Sequence, residues 1–248
     1  MKNTPSDSGE DKIFASPQSE VAPFSFNESV VDVFPDMINR SVPGYGEIIS
    51  SIPKILRHYI DSDTLIYDLG CSLGATSLSI ARTFPTLPIT IKAIDYSDAM
   101  VERCKQRIGA YNYQAKIDIK QGDICLVELA QCNVVIINFT LQFISRDKRQ
   151  ALLSKIYDAL KPGGIFILSE KISDEDALMR ERLIELHHDF KRDNGYSELE
   201  ISQKRSALEN VMVIDSLSMH KRRLREAGFK HQSVWFQHFN FVSMMAIK

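Results

Sequence analysis

From residue 64 onward, short apolar runs alternate with stretches whose apolar positions recur at helical spacing. The runs at 65–69, 89–94, 116–120, 134–138 and 165–169 read as strands. The fourth, Val-Val-Ile-Ile-Asn, is apolar without alternation, as expected of a strand buried on both faces. Between them, 75–84, 97–110 and 149–160 read as helices. Ser97 is the expected cap of the second, with Asp98 and Glu102 near its start. Lys161-Pro-Gly-Gly164 is the expected close of the third. Strand–helix alternation of this kind predicts an α/β fold with a mostly parallel, Rossmann-like sheet.

The alternation stops after residue 173. Residues 174–214 are charged and helical in pattern, too long for a simple crossover, and read as an insertion over the top of the sheet. A helix at 218–227 ends at Gly228, and two β-rich segments, 231–238 and 239–247, are expected to pair antiparallel at the sheet edge. Ahead of the sheet, Asn27 is the expected cap of a helix running toward Phe34 and broken by Pro35. A turn follows at 40–45, then a helix over 48–59. Residues 1–22, rich in Ser, Asp, Glu and Pro, read as a mobile tail before a single domain over 23–248.

The chemistry sits where runs end. The first apolar run closes in Asp68, then Gly70-Cys-Ser-Leu-Gly74, and the second ends in Asp95. In open parallel sheets, such a turn lets backbone approach a ligand, and the next strand's terminal carboxylate accepts from ribose hydroxyls. The spacing alone admits a dinucleotide or S-adenosylmethionine. Ser72 stands where a dinucleotide fingerprint wants its second glycine, which argues against a dinucleotide and tolerates the smaller amino-acid end of S-adenosylmethionine. Asp123 and Ile124 follow the third strand, where an acid and an apolar residue suit an adenine. Gly122-Asp123 is equally a common turn pair. Asn138 ends the fourth strand, and Tyr45 lies in the Pro-Gly turn as a candidate lid. His187 and His188 are adjacent, diverge by roughly 100° on a helix and do not chelate together. Lys204-Arg205 reads, on its residues, as a solvated face.

Composition narrows the classes. The chain has 248 residues, 44% apolar and 25% charged, with net charge −2, so no overall field favours nucleic acid or a membrane. Its four cysteines form no CxxC pair, and no zinc or other metal site is expected. No signal peptide or membrane-length apolar run is visible, which predicts a cytoplasmic protein with reduced thiols.

The whole pattern resembles the class I S-adenosylmethionine-dependent methyltransferase fold over about residues 60–248. Five stretches are more specific: VFPDMINRSVPGY at 33–45, YDLGCSLG at 67–74, INFTLQF at 137–143, HHDFKR at 187–192 and NGYSELEISQKRS at 194–206. Together they resemble the carboxy-S-adenosyl-L-methionine synthase family, including the insertion that ordinary methyltransferases lack. The resemblance implies seven strands with an antiparallel edge, a helical N-terminal extension, and a homodimer. It implies carboxylation of the methyl group of S-adenosyl-L-methionine with prephenate as donor. Carboxy-S-adenosyl-L-methionine and phenylpyruvate are the products. A separate enzyme then uses the carboxylated product on wobble uridines of tRNA, in the 5-oxyacetyluridine pathway. Residue by residue, it assigns Tyr45, Gly70, Cys71, Ser72, Asp95, Tyr96, Asp123, Ile124 and Asn138 to the cofactor. Arg205 becomes the candidate catalytic and cofactor-binding residue, its guanidinium pairing with the added carboxylate. The competing readings are a conventional methyltransferase and a non-catalytic protein that keeps its nucleoside pocket.

Overall fold

The computed structural model describes residues 9–248. Among these, seven strands form one sheet in the order β3-β2-β1-β4-β5-β7-β6. The strands are β1 (Leu65–Leu69), β2 (Thr90–Asp95), β3 (Lys116–Gln121), β4 (Cys132–Asn138), β5 (Leu160–Lys171), β6 (His231–His238) and β7 (Phe241–Ile247). The first five run parallel; β7 pairs antiparallel with both β5 and β6. The linking helices are α3 (Ala75–Thr83), α4 (Asp98–Gly109) and α5 (Arg146–Ala159). Strand order reverses between β1 and β4, and in open α/β sheets ligands bind beyond the carboxyl ends of strands at such a reversal.

Period-two alternation along β4 builds both faces of the core. Val135 and Ile137 pack with Tyr67, Phe166 and Phe229 beneath α5 and α8 (Leu217–Ala227). Val134 and Ile136 pack with Ile48, Ile52 and Ile80 beneath α3 and α2 (Tyr45–Leu56). All four β4 side chains are fully buried, which explains the unbroken apolar run. The insertion consists of α6 (Ala177–Asp193) and α7 (Glu198–Glu209), the latter opened by a Ser197–Glu200 capping box.

Three local expectations are corrected. Pro35 does not break the first helix: α1 runs Glu28–Ser41 through it. A proline removes one N–H bond, and here Val30, Val31 and Met37 remain buried along the helix's apolar face, so packing outweighs that loss. The turn before α2 is shorter than 40–45. Gly44 takes φ +74° as its last residue, and Tyr45 opens the helix. Lys161-Pro-Gly-Gly164 does not separate α5 from a later strand. β5 begins at Leu160, and the sequence forms an irregularity inside it, where the register to β4 shifts between Cys132 and Val134.

Of the expected tail, residues 1–8 lie outside the described residues. The remainder packs as a strap against α7 and α1. Asp11 and Phe14 are buried. Gln203 Nε2 donates to the carbonyls of Phe14 and Ser16 at 2.9 Å, and its Oε1 accepts from Gln18 N at 2.7 Å. Low sequence periodicity concealed this because the strap is held by polar side chains rather than by an apolar face.

Candidate functional site

The turn after β1 is drawn against the ends of β2 and β4. Gly70 has φ +80°, and a Cβ there would stand 2.1 Å from Thr140 Oγ1, so only glycine fits. Ser72, a non-glycine, also lies in the left-handed region at φ 49°. Four of the turn's backbone donors are spent inside the protein. Gly70 N and Cys71 N donate to Ile94 O at 2.7 and 3.1 Å, Ser72 N to Asp95 Oδ2 at 2.8 Å, and Gly74 N to Cys71 O at 2.8 Å. A pyrophosphate needs free N–H groups, whereas the ammonium of an amino acid needs acceptors. With these four donors already used, the turn suits the amino-acid end of S-adenosylmethionine better than a pyrophosphate.

Asp95 anchors the opposite side. Its Oδ1 accepts from Ser97 N at 2.9 Å while Oδ2 holds Ser72 N. Each oxygen retains a second lone-pair direction for a ribose hydroxyl. Burial pushes this carboxyl above its ordinary range, opposed by the Ser97 and Ser72 donors. Asp68, at the end of β1, is buried and accepts from Ser77 Oγ at 2.6 Å; burial raises its pKa to about 6. Tyr45, at the start of α2, feels the Asp68 charge, and burial, then Asp68, push its phenol upward. Tyr45 also sets its ring 6.3 Å from that of Phe139, just beyond β4.

The remaining candidates sit at neighbouring strand ends. Asp123 Oδ1 accepts from Cys125 N at 2.8 Å, holding the loop after β3, and Ile124 is buried against Tyr67 and Leu69. Tyr96 is 76% exposed, and its carbonyl accepts from Gln121 Nε2 at 3.3 Å. Asn138 donates to Thr76 Oγ1 at 2.9 Å and accepts from Ser169 Oγ at 2.6 Å, which fixes its amide. Tyr45, Gly70, Cys71, Ser72, Asp95 and Asn138 are brought around the ends of β1, β2 and β4, with Asp123 and Ile124 beside β3. Arg205 is not among them. It is exposed on α7, pairs with no carboxylate among the described residues, and contributes positive potential at Lys171 and His188.

Sequence reasoning missed the surroundings of Arg205. Lys204 is buried and bonded to Asp11 Oδ2 (3.3 Å), Ser41 Oγ (2.9 Å) and Tyr196 Oη (3.3 Å), so the Lys-Arg pair is only half a solvated face. His187 is buried with Nε2 2.8 Å from Ser41 O. Burial, then the Lys171 charge, lower its pKa to about 2, keeping it neutral. The available signal was the i,i+4 spacing of His187 and Lys191 on one helix face, indistinguishable in sequence from a surface pattern.

A methyltransferase domain family matches residues 66–164, covering the turn and the first strands. A carboxy-S-adenosyl-L-methionine synthase from Vibrio atlanticus is 54% identical over 241 residues, 97% of this chain and all of that protein. Another, from Enterobacter sp. (strain 638), is 52% identical over 238 residues, 96% of this chain and 97% of that protein. Among solved structures, an S-adenosylmethionine-dependent methyltransferase from Methanosarcina mazei superposes with a TM-score of 0.56 at 16% identity. That match covers 78% of this chain and 94% of that one, and bears on the fold alone. The full-length relatives match through the strap, the sheet and the helical insertion alike. The chain therefore belongs to the carboxy-S-adenosyl-L-methionine synthase family, built on the class I methyltransferase fold.

Proposed function

We propose that this enzyme carboxylates the methyl group of S-adenosyl-L-methionine with prephenate, releasing phenylpyruvate. Its product, carboxy-S-adenosyl-L-methionine, then serves a separate enzyme that modifies wobble uridines of tRNA. The observation that carries the reading is family likeness over 96–97% of the chain, which includes the insertion bearing Arg205. Bound S-adenosylmethionine supplies a sulfonium that acidifies its methyl. The methyl C–H becomes C–CO2⁻, and the proton leaves as water with the hydroxyl expelled when the prephenate ring becomes aromatic.

The chain's own residues hold and orient. Asp95 takes the ribose, Asp123 and Ile124 flank the adenine beside Tyr96, and the Gly70–Ser72 turn with Asn138 receives the amino-acid end. Tyr45 covers the cleft. Arg205 neutralises the added carboxylate. Closure of a water-poor site favours transfer between the two substrates over escape of carbon dioxide. We place the enzyme in the cytoplasm as a homodimer that touches neither membrane nor RNA. Four free cysteines support the compartment. Exposed Leu178, Met179 and Leu186 on α6 support a partner face. No helix of the described residues is long and apolar enough to cross a membrane.

Purified protein incubated with both substrates, followed by mass spectrometry of the nucleoside, tests the reaction. A product heavier by one carbon dioxide unit is expected; unchanged S-adenosylmethionine with prephenate left intact refutes it. Arg205→Ala separates this reading from a conventional methyltransferase. It weakens binding of the carboxylated product about tenfold or more while S-adenosylmethionine affinity holds. Equal losses for both ligands, measured by calorimetry, count against the role.

A further inference from the structure

Three ammonium groups converge between the end of β5 and the insertion, and the fold supplies a carboxylate for only one of them. Lys204 has Asp11. Lys191, on α6, is 7% exposed and has neither an ion-pair nor a side-chain hydrogen-bond partner among the described residues. Lys171, the last residue of β5, has no acidic partner either. Its Nζ lies 3.4 Å from His187 Nδ1 and 5.6 Å from the centre of the Phe241 ring. Because His187 directs Nε2 at the Ser41 carbonyl, Nδ1 faces Lys171 as a neutral acceptor.

Buried lysines are rarely left unpaired, since an isolated buried charge is expensive. Here burial lowers Lys171 to about 8 and Lys191 to about 7, each further depressed by its cationic neighbours. His188 feels Lys191, Arg205 and Lys171 together. A fold that places like charges together without counter-ions is arranged for an anion that arrives from outside.

The cluster also connects to the cofactor cleft. Tyr45 is 6.3 Å from Phe139, Phe139 is 6.1 Å from Phe241, and Phe241 is 4.8 Å from His187, ring centre to ring centre. This row leads from Tyr45, at the start of α2, to the unpaired ammonium groups. Its far end combines aromatic faces with cations, the surface that suits an anion bearing an unsaturated ring.

We propose that Lys171 and Lys191 form the carboxylate subsite of the second substrate, with Arg205 at its rim. The anion is a ring-bearing dicarboxylate, and its arrival supplies the counter-charge that the fold withholds. This assignment rests on the reaction proposed above.

Steady-state kinetics of the full chain with prephenate and S-adenosylmethionine test it. Lys171→Met and Lys191→Met each raise KM for prephenate about tenfold or more, while calorimetric affinity for S-adenosylmethionine stays within about twofold. Lys191→Arg restores most of the loss. Because Lys191→Met removes an uncompensated buried charge, it also raises Tm; a merely structural lysine would lower it. Where Lys171→Met fails to fold, Lys191→Met carries the test. Normal KM in the folded variants, with wild-type turnover intact, overturns the subsite and leaves the reaction standing. If the wild type does not turn over prephenate, the reaction fails, and malonate becomes the probe. Binding by the wild type and loss in the double variant support the subsite; equal binding, or none by the wild type, overturns it.

Discussion

One methyl group at position 70 measures how tightly the turn after β1 is drawn. A side chain there meets Thr140 at three atoms, 2.1 to 2.7 Å away, and must hold φ +80° besides. Thr140 does not yield freely, because its Oγ1 bonds the Asn138 carbonyl at 3.1 Å. Gly70→Ala is therefore expected to lower stability by about 1–3 kcal/mol and to displace the β4 loop that carries Asn138. Chemical denaturation reads the first effect and calorimetry with S-adenosylmethionine the second. Adding Thr140→Gly recovers part of the stability, since it removes the clashing side chain but leaves the backbone strain. An unaltered midpoint in Gly70→Ala would show that the turn is looser than drawn.

At the scale of elements, the carboxyl edge of the sheet beside β5 is held by one carboxylate. Asp215 receives Arg149 from α5, Arg223 from α8 and the exposed Arg146, while its backbone bridges to Ile172 just beyond β5. Arg149 is fully buried, so Asp215→Ala strands a guanidinium rather than merely deleting a contact. A loss of about 3–5 kcal/mol in urea unfolding is expected. Loss within the range of a surface pair would refute the clamp. None of this was visible in the pattern. Asp215 sits just past a charged insertion, and long-range polar pairs leave no periodic trace. What was legible followed from period. β1 matches its expected bounds, the other parallel strands are found where apolar runs lie, and Ser97 and Gly228 cap the helices expected of them. The turn at Gly70–Gly74 and Asp95 were placed for the same reason, and the structure brings them together at the carboxyl ends of β1 and β2. Lys171 and Lys191 were not, because their environment comes from three elements distant in sequence. Pro35 misled because local propensity was weighed without the buried face that overrides it.

For the molecule as a whole, the strap joins the beginning of the chain to its late insertion. Asp11 takes hydrogen bonds from Tyr196 Oη and Lys204, and its carbonyl accepts from Arg40. Deleting residues 1–22 leaves the buried Lys204 with no carboxylate and Gln203 with no partners among the carbonyls it now holds. A drop in Tm of about 5 °C or more is expected by calorimetry. Preference for the carboxylated product should weaken as well, since α7 carries Arg205. A truncated chain with unchanged Tm would mean the strap is not seated in solution. The same arrangement has a consequence for synthesis. The strap leaves the ribosome well before its seat at positions 196–204, which emerges more than 180 residues later. A nascent chain that has completed its parallel strands still has nowhere to dock the strap, so the Arg205 helix is fastened only after the helical insertion has been made.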